Sequence, residues 1–201
     1  MDSKRALDLA VAVPGLVIAS PLIGLFALLV KLESRGPAIY KGRRVGRRGR
    51  PFLIYKLRTM TEDADRTGPA ITVSEDRRIT RIGRLLRKTK LDELPQLWNV
   101  VVGDMSLVGP RPEHPDYVQL YTPEQRQVLA MRPGITGPAV LRFVDEDRLL
   151  TGDAQSRYTT EVMPQKLTLD LEYVRNNSLA GDLRILAETA GLLVWRILRL
   201  A

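Results

Sequence analysis

Asp92 and Glu93 form a pair of adjacent carboxylates in the part of the sequence best suited to chemistry. The basic residues Arg87 and Lys90 precede them, and nearby positive charge favours the ionised form of a carboxylate. Pro95 follows, and proline is best tolerated in the first turn of a helix. The pair is therefore predicted at or just before a helix N-terminus, where the helix dipole stabilises an anion by about 0.3–1 kcal/mol.

Two roles are open for this carboxylate pair. Capping a helix N-terminus is the commonest role of an aspartate in the position of Asp92. Binding a divalent cation is the alternative. The chain has no cysteine, and its one histidine, His114, lies between two nearby prolines, so oxygen atoms are the expected ligands. Asp92 and Glu93 would then hold Mg²⁺ or Mn²⁺.

Basic residues in rigid or strand-end positions are candidates for binding phosphate. Arg111 lies between two prolines and Arg132 precedes a Pro-Gly pair, so little entropy is lost when either guanidinium binds an anion. A rigid turn without a ligand is the alternative at each position. Lys56 and Arg58 add two cations at the end of a predicted strand. The sequence contains no Walker-type phosphate loop, Rossmann glycine fingerprint or nucleophile elbow.

A long apolar segment at the N-terminus must place these groups at a membrane. Residues 7–32 are almost wholly apolar, and about 20 apolar residues are enough to span a bilayer. Ser20 and Pro21 lie near the middle of the segment, where proline removes a backbone hydrogen bond. Lys4 and Lys31 flank it, which draws both ends to the cytoplasm. These features favour a re-entrant hairpin broken at Ser20 and Pro21; a kinked transmembrane anchor is the alternative.

Positive charge is concentrated directly after this anchor. The chain has a net charge of +8, and residues 31–90 contain 18 Lys/Arg and 6 Asp/Glu. Short strands are expected on either side of the basic connection 41–50, and amphipathic helices over residues 78–90 and 182–200. Basic amphipathic helices beside an anchor are typical of the membrane interface. Anionic lipid is therefore favoured over nucleic acid, because no aromatic stacking platform accompanies the basic residues.

These elements together predict an α/β fold in which helix predominates, with a small sheet. The length suits one globular domain: residues 1–33 form the anchor, and residues 34–201 form an interfacial catalytic domain. The apolar face of the C-terminal helix has two further explanations, namely packing on the protein's own core or forming a homodimer.

The residues resemble the bacterial sugar transferases, which are monotopic polyprenol-phosphate phosphoglycosyl transferases. The segments that carry the resemblance are 56–60 (Lys-Leu-Arg-Thr-Met), 91–97 (Leu-Asp-Glu-Leu-Pro-Gln-Leu), 103–112 and 132–137, in that order. The resemblance covers nearly the whole chain and matches the short form of the family. It implies a re-entrant helix broken at Ser20-Pro21, with the catalytic domain on the cytoplasmic face of the bacterial inner membrane.

The resemblance also implies a reaction. Asp92 would attack the β-phosphorus of a UDP-sugar, expel UMP and retain the phosphosugar. Polyprenol phosphate, expected to be undecaprenyl phosphate, would then accept it as the first membrane step of capsule, O-antigen, exopolysaccharide or glycoprotein synthesis. Glu93, together with Asp92, would hold Mg²⁺. The cations expected to bind substrate phosphate are Lys56, Arg58, Arg87, Arg111 and Arg132.

The sequence departs from the family pattern after Gly137. Many members continue Trp-Ala-Gln-Val-Asn-Gly-Arg, whereas residues 138–147 here read Pro-Ala-Val-Leu-Arg-Phe-Val-Asp-Glu-Asp. This region is expected to approach the nucleotide or the sugar. Arg142 is the candidate replacement for the missing polar contact.

Two other functions fit parts of the sequence. A non-catalytic, membrane-anchored basic protein that binds lipid or recruits a partner would explain the charge and the anchor, but not the Asp92-Glu93 segment. A glycosyl transferase that moves the sugar alone would release UDP instead of UMP. The released nucleotide therefore separates these functions.

Overall fold

The computed structural model describes residues 3–64, 73, 76–150 and 152–199 of the 201-residue chain. Helix predominates. The helices are α1 (Ser3–Glu33), α2 (Arg81–Thr89), α3 (Gln96–Val102), α4 (Pro115–Gln119), α5 (Pro138–Arg142), α6 (Ala154–Arg157), α7 (Met163–Asn176) and α8 (Leu179–Leu198). The strands are β1 (Ile39–Val45), β2 (Pro51–Leu57), β3 (Ser106–Val108) and β4 (Gly134–Thr136). The predicted class, helix-rich α/β with small sheets, is confirmed.

Helix α1 is long and apolar enough to cross a membrane. It continues as helix through Pro14 and Pro21. Pro21 cannot donate to the carbonyl of Val17, one turn earlier, and the Ser20 hydroxyl donates to that oxygen instead, at 2.8 Å. The sequence therefore compensates locally for the missing bond. A re-entrant path of the helix stays a prediction.

One face of α1 packs on the globular domain near both of its ends. Asp8 lies near the N-terminal end and accepts from the Ser106 hydroxyl and from the Leu107 N–H, each at 2.9 Å. Near the C-terminal end, Val30 is 2% exposed and packs in a core cluster with Leu57 and Leu86. The opposite face exposes large apolar side chains, namely Val13, Val17, Ile18, Leu25, Leu28 and Leu32. A continuous apolar surface of this kind is typical of a membrane-contacting face.

The basic connection lies in a β-hairpin, as the sequence predicts. Strands β1 and β2 pair antiparallel from Ile39 opposite Leu57 to Val45 opposite Pro51. The turn between them contains a residue with positive φ, Arg48 at 59°. The hairpin is longer than the short strands expected, and β2 carries Lys56 near its end.

A buried amide joins α3 to this hairpin. The Asn99 side chain is fully buried. Its Oδ1 accepts from the backbone N–H of Tyr55 at 3.0 Å, and its Nδ2 donates to the carbonyl of Leu53 at 2.7 Å. These two bonds take the place of a neighbouring strand along β2. Helix α3 is therefore held in register with the strand that carries Lys56.

A short parallel pair brings the two arginine-proline turns together. Ser106 of β3 lies opposite Gly134 of β4, and Val108 lies opposite Thr136. After β3, the Gly109 N–H donates to the carbonyl of Thr136 at 3.0 Å. A Cβ on Gly134 would collide with the backbone of Gly109, so only glycine permits this approach.

Helices α2 and α8 confirm the two predicted amphipathic segments. Each begins at a hydroxyl cap: Thr80 Oγ1 accepts from Gly83 N, and Ser178 Oγ accepts from Gly181 N. Helix α8 leaves several large apolar side chains exposed, including Leu183, Val194, Trp195 and Leu198. Placement of these helices in a membrane interface stays a prediction.

Candidate active site

Three elements meet at Glu93. Its Oε1 accepts from Lys56 Nζ at the end of β2 and from Arg111 Nη2 in the turn after β3, each at 2.8 Å. Burial raises the pKa of Glu93, but Arg111 and Lys56 outweigh burial and hold this pKa well below its usual 4.5. Glu93 in turn raises the pKa of Arg111. Burial lowers the pKa of Lys56, and the negative charge of Glu93 opposes that shift. The three side chains therefore form one ion-paired cluster.

Asp92 lies beside this cluster and differs from Glu93 in its hydrogen bonding and in the direction of its pKa shift. It is 7% exposed, and its Oδ1 has no hydrogen-bond partner within the described part of the chain. Burial raises the pKa of Asp92 above 3.8; Lys56 opposes this shift and the negative charge of Glu93 adds to it. The sequence suggested that the helix dipole and the basic neighbours keep this carboxylate anionic. In the folded protein, desolvation outweighs them.

The local backbone explains why Asp92 is not a helix cap. Residues Leu91–Glu93 form a 3₁₀ turn, while α3 starts at Gln96 with Pro95 in the cap position and no side-chain capping bond. Lys90, with a φ of 61°, ends α2 in a left-handed conformation. This reversal turns the carboxylate pair back toward β2. Of the two roles open for Asp92, capping is therefore not the one observed.

Arg87 approaches Asp92 from the last turn of α2. Its Nε donates to the Thr59 hydroxyl at 3.0 Å. Burial lowers the pKa of Arg87, and the negative charge of Asp92 opposes that shift. The structure thus brings together five of the predicted residues, namely Lys56, Arg87, Asp92, Glu93 and Arg111.

The remaining predicted cations lie in other surroundings. Arg58 donates through both terminal nitrogens to the backbone oxygens of Ser34 and Arg35, just after α1. Arg132 donates from Nε to the carbonyl of Gly103, at the end of α3, at 3.0 Å. Arg142 is exposed in the last turn of α5. Arg58 therefore differs most from the sequence-based expectation, because its guanidinium is occupied by backbone.

Two residues that were not singled out from the sequence also belong to the site's surroundings. Gln96 is 1% exposed, and in the described structure both atoms of its side-chain amide lack a partner. Its spacing of four residues from Asp92 was the available signal, because such residues lie close on a helical path. Asp170 of α7 accepts from the backbone N–H of Arg111 at 3.3 Å, and no local pattern in the sequence indicates that contact.

Metal ligands are few. Across the described ranges there is no group of three or more His, Cys, Asp or Glu side chains that could hold a metal ion. Asp92 and Glu93 supply two carboxylates, and Mg²⁺ usually takes one or two carboxylates and completes its shell with water and substrate phosphate. The pair therefore suits Mg²⁺ with a phosphorylated substrate better than a site made of protein ligands alone.

Sequence comparison identifies the family of this chain. A family profile described as bacterial sugar transferase matches residues 2–196. The chain belongs to the bacterial sugar transferase family. As a member of this family, the sugar transferase is an enzyme. The family match and the long apolar helix α1 together indicate that it associates with a membrane.

Individual relatives of the sugar transferase have more specific names. It is 44% identical over 191 residues to the UDP-glucose:undecaprenyl-phosphate glucose-1-phosphate transferase of Caulobacter vibrioides, covering 92% of this chain and 67% of that protein. It is 40% identical over 194 residues to the exopolysaccharide production protein PSS of Rhizobium leguminosarum, covering 92% of each.

A third relative is considerably longer. The UDP-N-acetylgalactosamine-undecaprenyl-phosphate N-acetylgalactosaminephosphotransferase of Aeromonas hydrophila is 38% identical over 191 residues, covering 92% of this chain but 42% of that protein. These relatives are named for two different sugars, so the family alone does not define the donor sugar.

Proposed function

We propose that this sugar transferase moves a sugar-1-phosphate from a UDP-sugar to undecaprenyl phosphate and releases UMP. The observation that carries the proposal is Asp92, a buried carboxylate whose Oδ1 has no partner among the described residues. It lies beside the cluster of Lys56, Glu93 and Arg111. The names of relatives 38–44% identical to this chain support the same reaction class.

In the first step, a carboxylate oxygen of Asp92 attacks the β-phosphorus of the UDP-sugar. The bond from that phosphorus to the bridging oxygen breaks, and UMP leaves with the bridging oxygen and its electron pair. The product is an acyl phosphate that carries the sugar on Asp92. Aspartate is an established covalent phosphoryl acceptor, and desolvation makes an anionic oxygen more nucleophilic than it is in water.

In the second step, a phosphate oxygen of the polyprenol phosphate attacks the same phosphorus. The bond between phosphorus and Asp92 breaks, which restores the carboxylate and releases polyprenyl diphosphate sugar. A covalent intermediate separates the water-soluble donor from the lipid acceptor in time. One site therefore serves two substrates of opposite solubility.

The cations around Asp92 hold and neutralise phosphate oxygens. Arg111 is suited to a two-point contact because its guanidinium presents parallel N–H groups. Lys56 supplies a compact charge, and Arg87 in the last turn of α2 adds a third cation that interacts with Asp92. Glu93 pairs with both Lys56 and Arg111 and thereby holds these two cations next to Asp92.

Mg²⁺ is the metal we propose, with Asp92 and Glu93 as its protein ligands; Mn²⁺ has similar chemistry. The unpartnered Oδ1 of Asp92 is the observation that fits a ligand at this point. When bound, the ion would offset the repulsion between an anionic nucleophile and an anionic diphosphate.

Both ends of α1 are proposed to lie on one side of the membrane, the cytoplasmic side of the bacterial inner membrane. Asp8 near one end and Val30 near the other both contact the globular domain. A helix that crossed the bilayer would carry one end away from that domain. The exposed apolar face between them, including Val17 and Ile18, then contacts lipid tails.

Nucleotide release tests the proposal. The purified enzyme in nanodiscs receives Mg²⁺, undecaprenyl phosphate and a panel of UDP-sugars. UMP released with one donor, and lost in Asp92→Asn, supports the proposal and identifies the sugar. UDP as the product would contradict it in favour of transfer of the sugar alone. Asp116→Asn is the control, because the Asp116 side chain is 78% exposed and outside the cluster.

A further inference from the structure

We propose that Arg58 is a positioning residue that fixes the active-site cations Lys56 and Arg87 relative to the end of the membrane helix. This role rests on the proposed function of the site. Arg58 belongs to the Lys-Leu-Arg-Thr-Met segment at residues 56–60, whose two cations the sequence alone suggests as phosphate ligands. The structure separates the two: Lys56 contacts Glu93, and Arg58 contacts the backbone that follows α1.

The contacts of Arg58 are those of a helix C-terminal cap. Its Nη2 donates to the carbonyl and the hydroxyl of Ser34 at 2.8 and 3.0 Å, and its Nη1 donates to the carbonyl of Arg35. Carbonyls at a helix C-terminus have no partner within the helix, and a cation there also complements the helix dipole. The residue is 6% exposed, so both terminal nitrogens are committed to protein.

The chain leaves room for this guanidinium by using glycine at position 36. Gly36 has a φ of 103°, and a Cβ built on it would collide with Arg58 Nη1 and lie 2.9 Å from Glu62 Cδ. The atoms in the way are the far ends of flexible side chains, so an alanine at position 36 displaces the guanidinium. The alanine also meets the backbone strain of a positive φ, which the control at Gly152 shares. A substitution at Gly36 therefore perturbs the Arg58 contact without removing a charged group.

The neighbours of Arg58 transmit its position to the site. Leu57, directly before it, is 1% exposed and packs with Val30 of α1 and Leu86 of α2. Thr59, directly after it, accepts from Arg87 Nε at 3.0 Å. Consecutive residues thus contact the membrane helix, its packing partner and a cation that faces Asp92.

A second contact links the end of α1 to the start of α2. Glu33, the last residue of α1, accepts from the backbone N–H groups of Arg81 and Ile82 at 2.7 and 3.0 Å. The end of α1 therefore caps the start of α2, while Arg58 caps the end of α1. Since α2 carries Arg87 at its other end, a shift at the end of α1 moves that cation relative to Lys56.

The kinetic consequence differs from that of a phosphate ligand. Misplacing catalytic groups by about 1 Å lowers turnover by about a hundredfold, whereas removing a direct substrate contact also weakens binding. We expect Arg58→Ala to lower kcat for UMP release about 10- to 100-fold and to change KM for the donor by less than about twofold. Arg58→Lys keeps one cationic donor for the carbonyls and should restore part of kcat.

Gly36→Ala distinguishes the two roles without touching a charged residue. It should lower kcat in the same direction as Arg58→Ala, and the two changes together should be little worse than Arg58→Ala alone because they break one contact. Gly152→Ala is the matched control, since Gly152 also has a positive φ, 72°, and a Cβ there meets nothing within 4 Å. A tenfold or greater rise in donor KM in Arg58→Ala, with Gly36→Ala no worse than its control, would overturn the proposal.

Hydrogen exchange tests the contact independently of catalysis. Amides of residues 34–36 should exchange about tenfold faster in Arg58→Ala than in the wild type or in Arg126→Ala, a surface control. Unchanged exchange there would overturn the positioning role. If the wild-type protein released no UMP with any donor, the proposed function would fail, while faster exchange would still establish the Arg58 contact.

Discussion

Two charged clusters in this enzyme differ in how completely their polar groups are hydrogen-bonded. The active-site cluster consists of Lys56, Asp92, Glu93 and Arg111, and the second consists of Glu113, Glu146, Tyr158 and Lys166. In the second cluster the groups satisfy one another: the Tyr158 hydroxyl donates to Glu113, while Lys166 Nζ donates to Tyr158 Oη at 3.2 Å and to Glu146 at 2.6 Å.

The active-site cluster is incomplete by comparison. Lys56 and Arg111 share one oxygen of Glu93, and Asp92 Oδ1 has no partner in the part of the chain that is described. Buried polar groups are normally hydrogen-bonded, and in the proposed mechanism a substrate or Mg²⁺ would complete the surroundings of Asp92. Changes in the first cluster should therefore affect activity most, and changes in the second should affect stability most.

Asp92→Asn should give the largest effect on activity. Removing the nucleophile should lower UMP release by about a thousandfold or more, with no covalent step remaining. Stability should move the other way. Because burial raises the pKa of Asp92, the ionised carboxylate destabilises the fold at neutral pH, and a neutral amide should raise the Tm. A lower Tm in Asp92→Asn than in the wild type would show that the comparison is wrong.

Glu93→Gln should affect both quantities. The change leaves Lys56 and Arg111 without their shared carboxylate, and breaking a buried ion pair destabilises by about 3–5 kcal/mol; partial exposure of Arg111, 30%, reduces this to about 1–3 kcal/mol. We expect UMP release to fall about 100-fold and the Tm to drop, measured by thermal unfolding in detergent. Wild-type activity in this variant would remove Glu93 from the site.

Tyr158→Phe should show the reverse pattern. It deletes one hydroxyl that bonds both Glu113 and Lys166, which should destabilise by about 1–3 kcal/mol and keep kcat within about threefold. Tyr117→Phe is the comparison variant, because the Tyr117 hydroxyl donates to the neutral side-chain amide of Gln155 at 2.8 Å. A fall in kcat of clearly more than about threefold in Tyr158→Phe, without a loss of stability, would contradict the division of roles.

Asp170→Asn should change stability only at higher pH. Burial raises the pKa of Asp170 from 3.8 to about 7. Stability is therefore greatest at low pH and is lost as pH rises through the interval between these values. The asparagine keeps an oxygen for the Arg111 N–H, so it should match the wild type near pH 4 and be more stable by about 1–3 kcal/mol at pH 8. Thermal unfolding at both pH values tests this; parallel curves would contradict it.

Local sequence patterns predicted several of the elements and the candidate residues that the structure brings together around Glu93. The apolar run predicted α1, and periodicity predicted α2 and α8. Proline at position 95 and the adjacent carboxylates indicated the reacting segment, because these signals lie within a few residues of one another.

Features that depend on distant parts of the chain could not be predicted in the same way. The raised pKa of Asp92 results from burial, which local charges do not reveal. Arg58 resembles Lys56 in sequence, yet its partner is the backbone after α1, more than 20 residues earlier. Asn99 reads as an ordinary helix residue until β2 is seen to use its amide as a pairing partner.

Intact mass of the enzyme after incubation with donor alone tests the central claim most directly. With no polyprenol phosphate to accept the sugar phosphate, the wild-type protein should gain the mass of one phosphosugar and release UMP in equal amount. Adding undecaprenyl phosphate should then remove the added mass. Asp92→Asn should gain nothing, and Asp116→Asn should behave as the wild type. UMP release by the wild type without any covalent adduct, or an adduct retained in Asp92→Asn, would contradict an aspartyl intermediate at Asp92.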